Sequence, residues 1–344
     1  MWHLEKPSEK KLDDYAKCLL PSLANRVNNI LPGAVKDVLL PQKADGSRDN
    51  GILHGLLIKE PRELFDLSES LMSSIINGYD INELKDVGIA FKAKKPSPNQ
   101  VVLINKYNVL KDLREVFNYD GAIGRNKYRS YKLTAMANHN TCVYCNRQYT
   151  FTVERNGGKN DDDRIARPAL DHWFPQSLFP LMSLSFYNLI PSCTVCNSSA
   201  KLDDIWMLST HIHPYLTNLD VPKFKFRYKA DLNSSWIIDF EDLTTNEDNT
   251  IKSLCLQDVY QMHSDLEVAD LIELATKNNG SYLKQLYGTV LSLYADGVDK
   301  IKAYRLLLGT EMIRENYKNR PLSKLKRDII AQIEEAQGIR FFDQ

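Results

Sequence analysis

"LDHWFPQSLFPLMSLSFYNLIPSCTVCNSSAK", Leu170 to Lys201, sets a carboxylate and an imidazole side by side, Asp171 and His172, ahead of the pair Cys193-Thr-Val-Cys196. An earlier pair stands upstream as Cys142-Val-Tyr-Cys145. Each spacing brings two thiolates from one tight turn to a single ion, and two such turns complete the tetrahedral four-thiolate shell that structural zinc prefers. A redox Cys-x-x-Cys would need one pair opening a helix in a βαβ unit, not two pairs. Structural Zn2+ is therefore expected on Cys142, Cys145, Cys193 and Cys196. That shell has no open position, so chemistry is left to the residues the two turns hold in place. His139, just before the first pair, reads as a surface histidine. Cys18 and Cys255 lie in apolar helical runs and read as buried free thiols.

Outward from this stretch, the chain has 344 residues, enough for two or three structural units by the usual domain sizes. It carries 44 Lys and Arg against 44 Asp and Glu. A balanced chain has no global field drawing it to nucleic acid or an anionic membrane, so any polyanion site must be local. The opening "MWHLEKPSEKKLDDYAKCLL" lacks the apolar h-region of a signal peptide, and no run is long and apolar enough to span a bilayer. A cytoplasmic location is expected. There thiols stay reduced, which favours metal ligation over disulfides for the cysteines.

Residues 1–138 read as helix and loop: "DYAKCLLPSLANRVNNIL", "PRELFDLSESLMSSIINGY" and "NKYNVLKDLREVFNY" repeat apolar residues three and four apart. Residues 139–214 hold the Cys/His module, with strand-like "QYTFTVE" and "PALDHWF" flanking the polar loop "ERNGGKNDDDRIARP". Residues 215–344 open with "KFKFRYKADLNSSWIIDFED", a hairpin expected to turn at Asn233 to Ser235, and return to a helical period. The fold class expected is α+β, mostly α-helical, with a zinc-stapled core between two helical regions and a small β-hairpin after it.

The ordered set "CVYC", "LDHWFPQS", "YNLIPSC" and "CNSSAK" resembles the HNH nuclease superfamily, whose ββα-metal core is often stapled by zinc knuckles in this order. The resemblance covers Asn140 to Lys201. It implies that Asp171 is a metal-binding carboxylate, His172 the general base, Asn188 the residue that pins the loop and Asn197 the second metal ligand, making an H-N-N variant. An amide oxygen suits Mg2+ or Mn2+ as the catalytic ion. A base takes a proton from water on one side of the phosphorus while charge is neutralised on the leaving oxygen at the other. In extended backbone, neighbours point to opposite sides, so Asp171 and His172 can serve those two sides separately.

Lys201, one turn beyond Asn197, is a candidate phosphate contact, with a solvated lysine as the alternative. His211 and His213 in "THIHPY" are candidates for the metal site or for substrate. "RNKYRSYK" places Arg125, Lys127, Arg129 and Lys132 among tyrosines, a pattern suited to a nucleic-acid backbone. Within the superfamily the wording resembles HNH proteins of bacterial antiphage defence, including the nuclease subunit of Septu-type systems. That implies DNA as substrate and docking of an ABC-class ATPase, or a second copy of the chain, on the helical regions. RNA is an alternative substrate, because base and metal do not choose the sugar. A zinc-stapled module that binds nucleic acid or protein without cutting is the alternative from another class.

Overall fold

The structure is a computed structural model that describes the chain except residues 202–203, 219, 233–234, 278–280, 293–299 and 343–344. Eight helices come first: α1 Glu9–Ile30, α2 Gly33–Leu39, α3 Gly51–Ile58, α4 Pro61–Ile75, α5 Leu84–Lys92, α6 Pro98–Lys106, α7 Val109–Val116 and α8 Lys127–Ala137. Three two-stranded antiparallel sheets follow, pairing β1 Val153–Glu154 with β2 Arg164–Ala166, β3 Ala169–His172 with β4 Leu189–Ser192, and β5 Lys225–Ala230 with β6 Trp236–Glu241. The remaining helices are α9 Thr245–Ser253, α10 Leu256–Gln261, α11 Ala269–Thr276, α12 Ser281–Ser292, α13 Lys300–Leu308 and α14 Ser323–Gln337. Among the described residues no helix is long and apolar enough to cross a membrane.

Local chemistry accounts for many element ends. The α1 stripe Leu12, Tyr15, Ala16, Leu19, Leu23 and Val27 is buried at helical spacing. Ser97 with Gln100 and Thr244 with Glu247 form capping boxes that satisfy the first free N–H groups of α6 and α9. Gly338 ends α14 at φ 64°, a conformation that costs other residues a Cβ clash.

The expected mostly helical architecture, with small antiparallel sheets, is what the chain adopts. The hairpin alternates as its sequence suggests, burying Phe226 and Ile238, and α14 covers one edge through Asp328 and Gln332, which accept from the Phe226 and Tyr228 N–H groups. Asn233 and Ser234 of the expected turn lie outside the described residues. Two expectations need correction. Cys18 is exposed because its position on α1 falls off the buried stripe, and Cys255 is exposed in the turn between α9 and α10, at φ 48°. His139 is buried, its Nδ1 donating to the Thr141 carbonyl at 2.6 Å.

One apolar cluster runs from Met1 to Phe342. The chain start threads into the module, where the Trp2 N–H donates to Val143 and its indole Nε1 to Tyr144. From the other side the Leu322 N–H donates to Asn146. The three sequence regions therefore share a core, and the module is packed on both sides.

Candidate functional site

The four cysteines converge. All are buried, and their sulfurs lie within 4.8 Å of one another, with Cys145 Sγ and Cys193 Sγ at 3.9 Å. A disulfide would bring sulfurs to about 2.05 Å, whereas four ligands about 2.3 Å from one tetrahedral ion stand about 3.8 Å apart. The geometry and the donor set suit a metal ion. The first turn is shaped by Asn146, which adopts φ 48° and whose N–H donates to the Cys142 carbonyl. Its side chain donates to Thr141 Oγ1 and the Tyr317 carbonyl, and accepts from the Ser323 N–H. In the second turn the Asn197 N–H donates to the Cys193 carbonyl.

Next to the cluster, β3 carries Asp171 and His172 opposite Ile190 and Leu189 of β4. The strand directs the two side chains apart. Asp171 is 3% exposed; its Oδ2 accepts from the Tyr144 hydroxyl at 2.5 Å, and Lys201 Nζ lies 3.3 Å from Oδ1 and 3.2 Å from Oδ2. His172 is partly buried against Tyr119, with ring centroids 4.7 Å apart. Its Nε2 stands 3.0 Å from the Ser183 carbonyl, which can only accept, so Nε2 carries the proton and Nδ1 the lone pair. Burial lowers the imidazole to about 4, which keeps it neutral at pH 7.

Asn188 ties down the loop between the strands. Its Oδ1 accepts from the Phe174 N–H at 2.7 Å, and its Nδ2 donates to the Phe174 and Met182 carbonyls at 3.1 and 3.0 Å. Asn197 sits in a π-helical segment, Val195–Lys201, and is partly buried.

The expected Mg2+ or Mn2+ ion does not fit this arrangement. Asp171 has its oxygens directed at a hydroxyl and an ammonium, so an ion binding there would have to displace them. Lys201 is also not the solvated or phosphate-facing residue expected from sequence: it is 1% exposed, donates to the His172 carbonyl at 2.5 Å, and stands 4.9 Å from the Trp206 ring centroid.

His213 packs against Trp173 with ring centroids 4.6 Å apart, accepts from the Tyr215 N–H through Nδ1, and is held by burial at about 3. His211 stacks on Trp206 at 5.0 Å and joins Ser253 through Nε2. Of the basic run, Arg129 is used inside the fold, donating to the Ala122 and Cys18 carbonyls. Arg125, Lys127 and Lys132 are exposed, although Lys127 reaches the Asp161 carbonyl and Lys132 lies over Tyr128.

Sequence reasoning missed Tyr144, Tyr119, Ser183 and Trp206. Tyr144 had the strongest available signal, a hydroxyl between the two cysteines of a Cys-x-x-Cys turn. The others act through folding contacts that no spacing encodes. No family model, curated protein or solved structure matches the chain, so its function is argued from the site itself.

Proposed function

We propose that this chain is an HNH-type endonuclease acting on DNA, with His172 as general base and a structural zinc ion on the four cysteines. The observation that carries the reading is His172 itself. It is neutral, oriented through Nε2 by a backbone carbonyl, with a lone pair on Nδ1, on a hairpin that leads into the second cysteine turn. A neutral imidazole fixed at one nitrogen can take a proton from water at the other, which is what attack on a phosphodiester requires. Asn188 supports that role by holding the loop that supplies the Ser183 carbonyl.

Arg125, Lys127 and Lys132 are proposed to meet the backbone of DNA, each neutralised phosphate strengthening binding through counterion release. The helical regions are proposed to dock an ATPase partner or a second copy, in antiphage defence. The reading assigns no step to a divalent ion at Asp171.

Zinc-loaded protein incubated with supercoiled plasmid should nick it, and His172→Ala should abolish nicking while keeping its zinc. Equal cleavage by wild type and variant would remove the assignment. A second reading, a module that binds without cutting, is favoured by the internal neutralisation of Asp171. It gains if wild-type protein binds DNA yet leaves both DNA and RNA intact across several divalent metals.

A further inference from the structure

Asp171 is the carboxylate an HNH-like site would offer to a divalent ion, and the fold has already supplied it with a cation. Lys201 closes the π-helical segment after Cys196, and its ammonium finds both Asp171 oxygens, the His172 carbonyl and the face of Trp206. A carboxylate, a peptide oxygen and an indole face replace the water that a buried ammonium has lost. The opposite partner of Asp171, Tyr144, lies between Cys142 and Cys145. Each contact of Asp171 is thus anchored to one of the two cysteine turns, and the cluster that gathers the turns also assembles the ion pair.

We propose that Lys201 is the resident counter-ion of Asp171 and keeps divalent cations off it. A Mg2+ or Mn2+ ion would need to bind a carboxylate oxygen at about 2.1 Å, beside an ammonium that already neutralises the group and repels a second cation. Binding there requires Lys201 to withdraw. This deepens the nuclease reading by naming what controls its carboxylate, and its test reads metal binding and stability instead of cleavage.

The experiment titrates Mn2+ into zinc-loaded full-length protein and follows free ion by electron paramagnetic resonance. Wild type, Lys201→Met, and the double variant Asp171→Asn/Lys201→Met are compared. Removing the ammonium should tighten Mn2+ binding by ~10-fold or more, the scale of one nearby like charge lost from a buried site. That gain should vanish in the double variant. Equal affinity in wild type and Lys201→Met, or a gain that survives loss of the carboxylate, overturns the proposal. Should Lys201→Met fold poorly, thermal midpoints of both single variants and the double variant decide. An ion pair makes the double variant less destabilised than the sum of the singles, and strict additivity rejects the pairing.

Discussion

Two groups of ionisable side chains lie buried in the same module, and they differ in where their partners come from. The four thiols face one another, with sulfurs within 4.8 Å. Asp171 is equally buried, but Lys201 and Tyr144 answer its charge and lone pairs from within the chain. The contrast teaches that burial of potential ligands does not by itself call for a metal. What matters is whether the fold has left them without a counter-charge. Four thiolates this close repel one another unless a cation joins them, so the cysteine site suits an ion from outside, whereas Asp171 already has a counter-charge.

Substitutions that exchange these properties should separate the two sites. Cys193→Ser should have the largest effect, because structural zinc contributes on the order of 10 kcal/mol to folding of small modules. Metal analysis should find less than one zinc per chain, and near-ultraviolet circular dichroism should show the module's aromatic packing lost. Asp171→Ala follows, since it strands a buried ammonium, at a cost of about 3–5 kcal/mol in urea unfolding with zinc retained. Loss of zinc in that variant would show that the two sites are not separable.

Asn188→Ala should cost about 2–3 kcal/mol, by removing three hydrogen bonds and leaving the Phe174 N–H buried without an acceptor. It should disturb the Ser183 carbonyl at His172 without changing zinc content, a difference that His172 titration by NMR can read.

Acid should act on the imidazoles next. His139 and His213 are each held at about 3 by burial, below the ordinary value of 6.5. Between those values the unfolded chain binds protons that the folded chain refuses, so the stability they contribute is complete above pH 6.5 and is lost as pH falls toward 3. His213→Phe should flatten the fall in urea midpoint between pH 7 and pH 5, by on the order of 1–2 kcal/mol. Acid displacement of zinc follows the same direction in both proteins and drops out of the comparison.

The smallest effect belongs to the exposed surface. Lys132→Ala should leave stability unchanged and reduce the salt dependence of DNA binding by about one counterion. An unchanged slope would remove that residue from the interface.

Legibility followed the range of the interactions. The α1 stripe, the capping boxes and the hairpin alternation are local patterns, and the sequence displayed them directly. The cysteine cluster was readable because its spacing carries its own geometry. The exposure of Cys18 was not, since an apolar run does not say which of its faces a neighbour will cover, and that of Cys255 was not, since the helical run breaks into a turn there. Likewise the strand expected through "QYTFTVE" shrank to Val153–Glu154, and its partner β2 formed inside a segment that reads as loop.

By itself the sequence determined that two cysteine pairs have the spacing to converge, that Asp171 and His172 are neighbours in a β-like stretch, and that helical regions flank them. Only the tertiary structure decided what Asp171 would meet. Tyr144 and Lys201 lie 27 and 30 residues from it in the chain. Their approach depends on β3 pairing with β4 and on both cysteine turns packing against that hairpin. Carboxylate electrostatics are set by whatever charge stands within a few ångströms, and no local pattern encodes that distance.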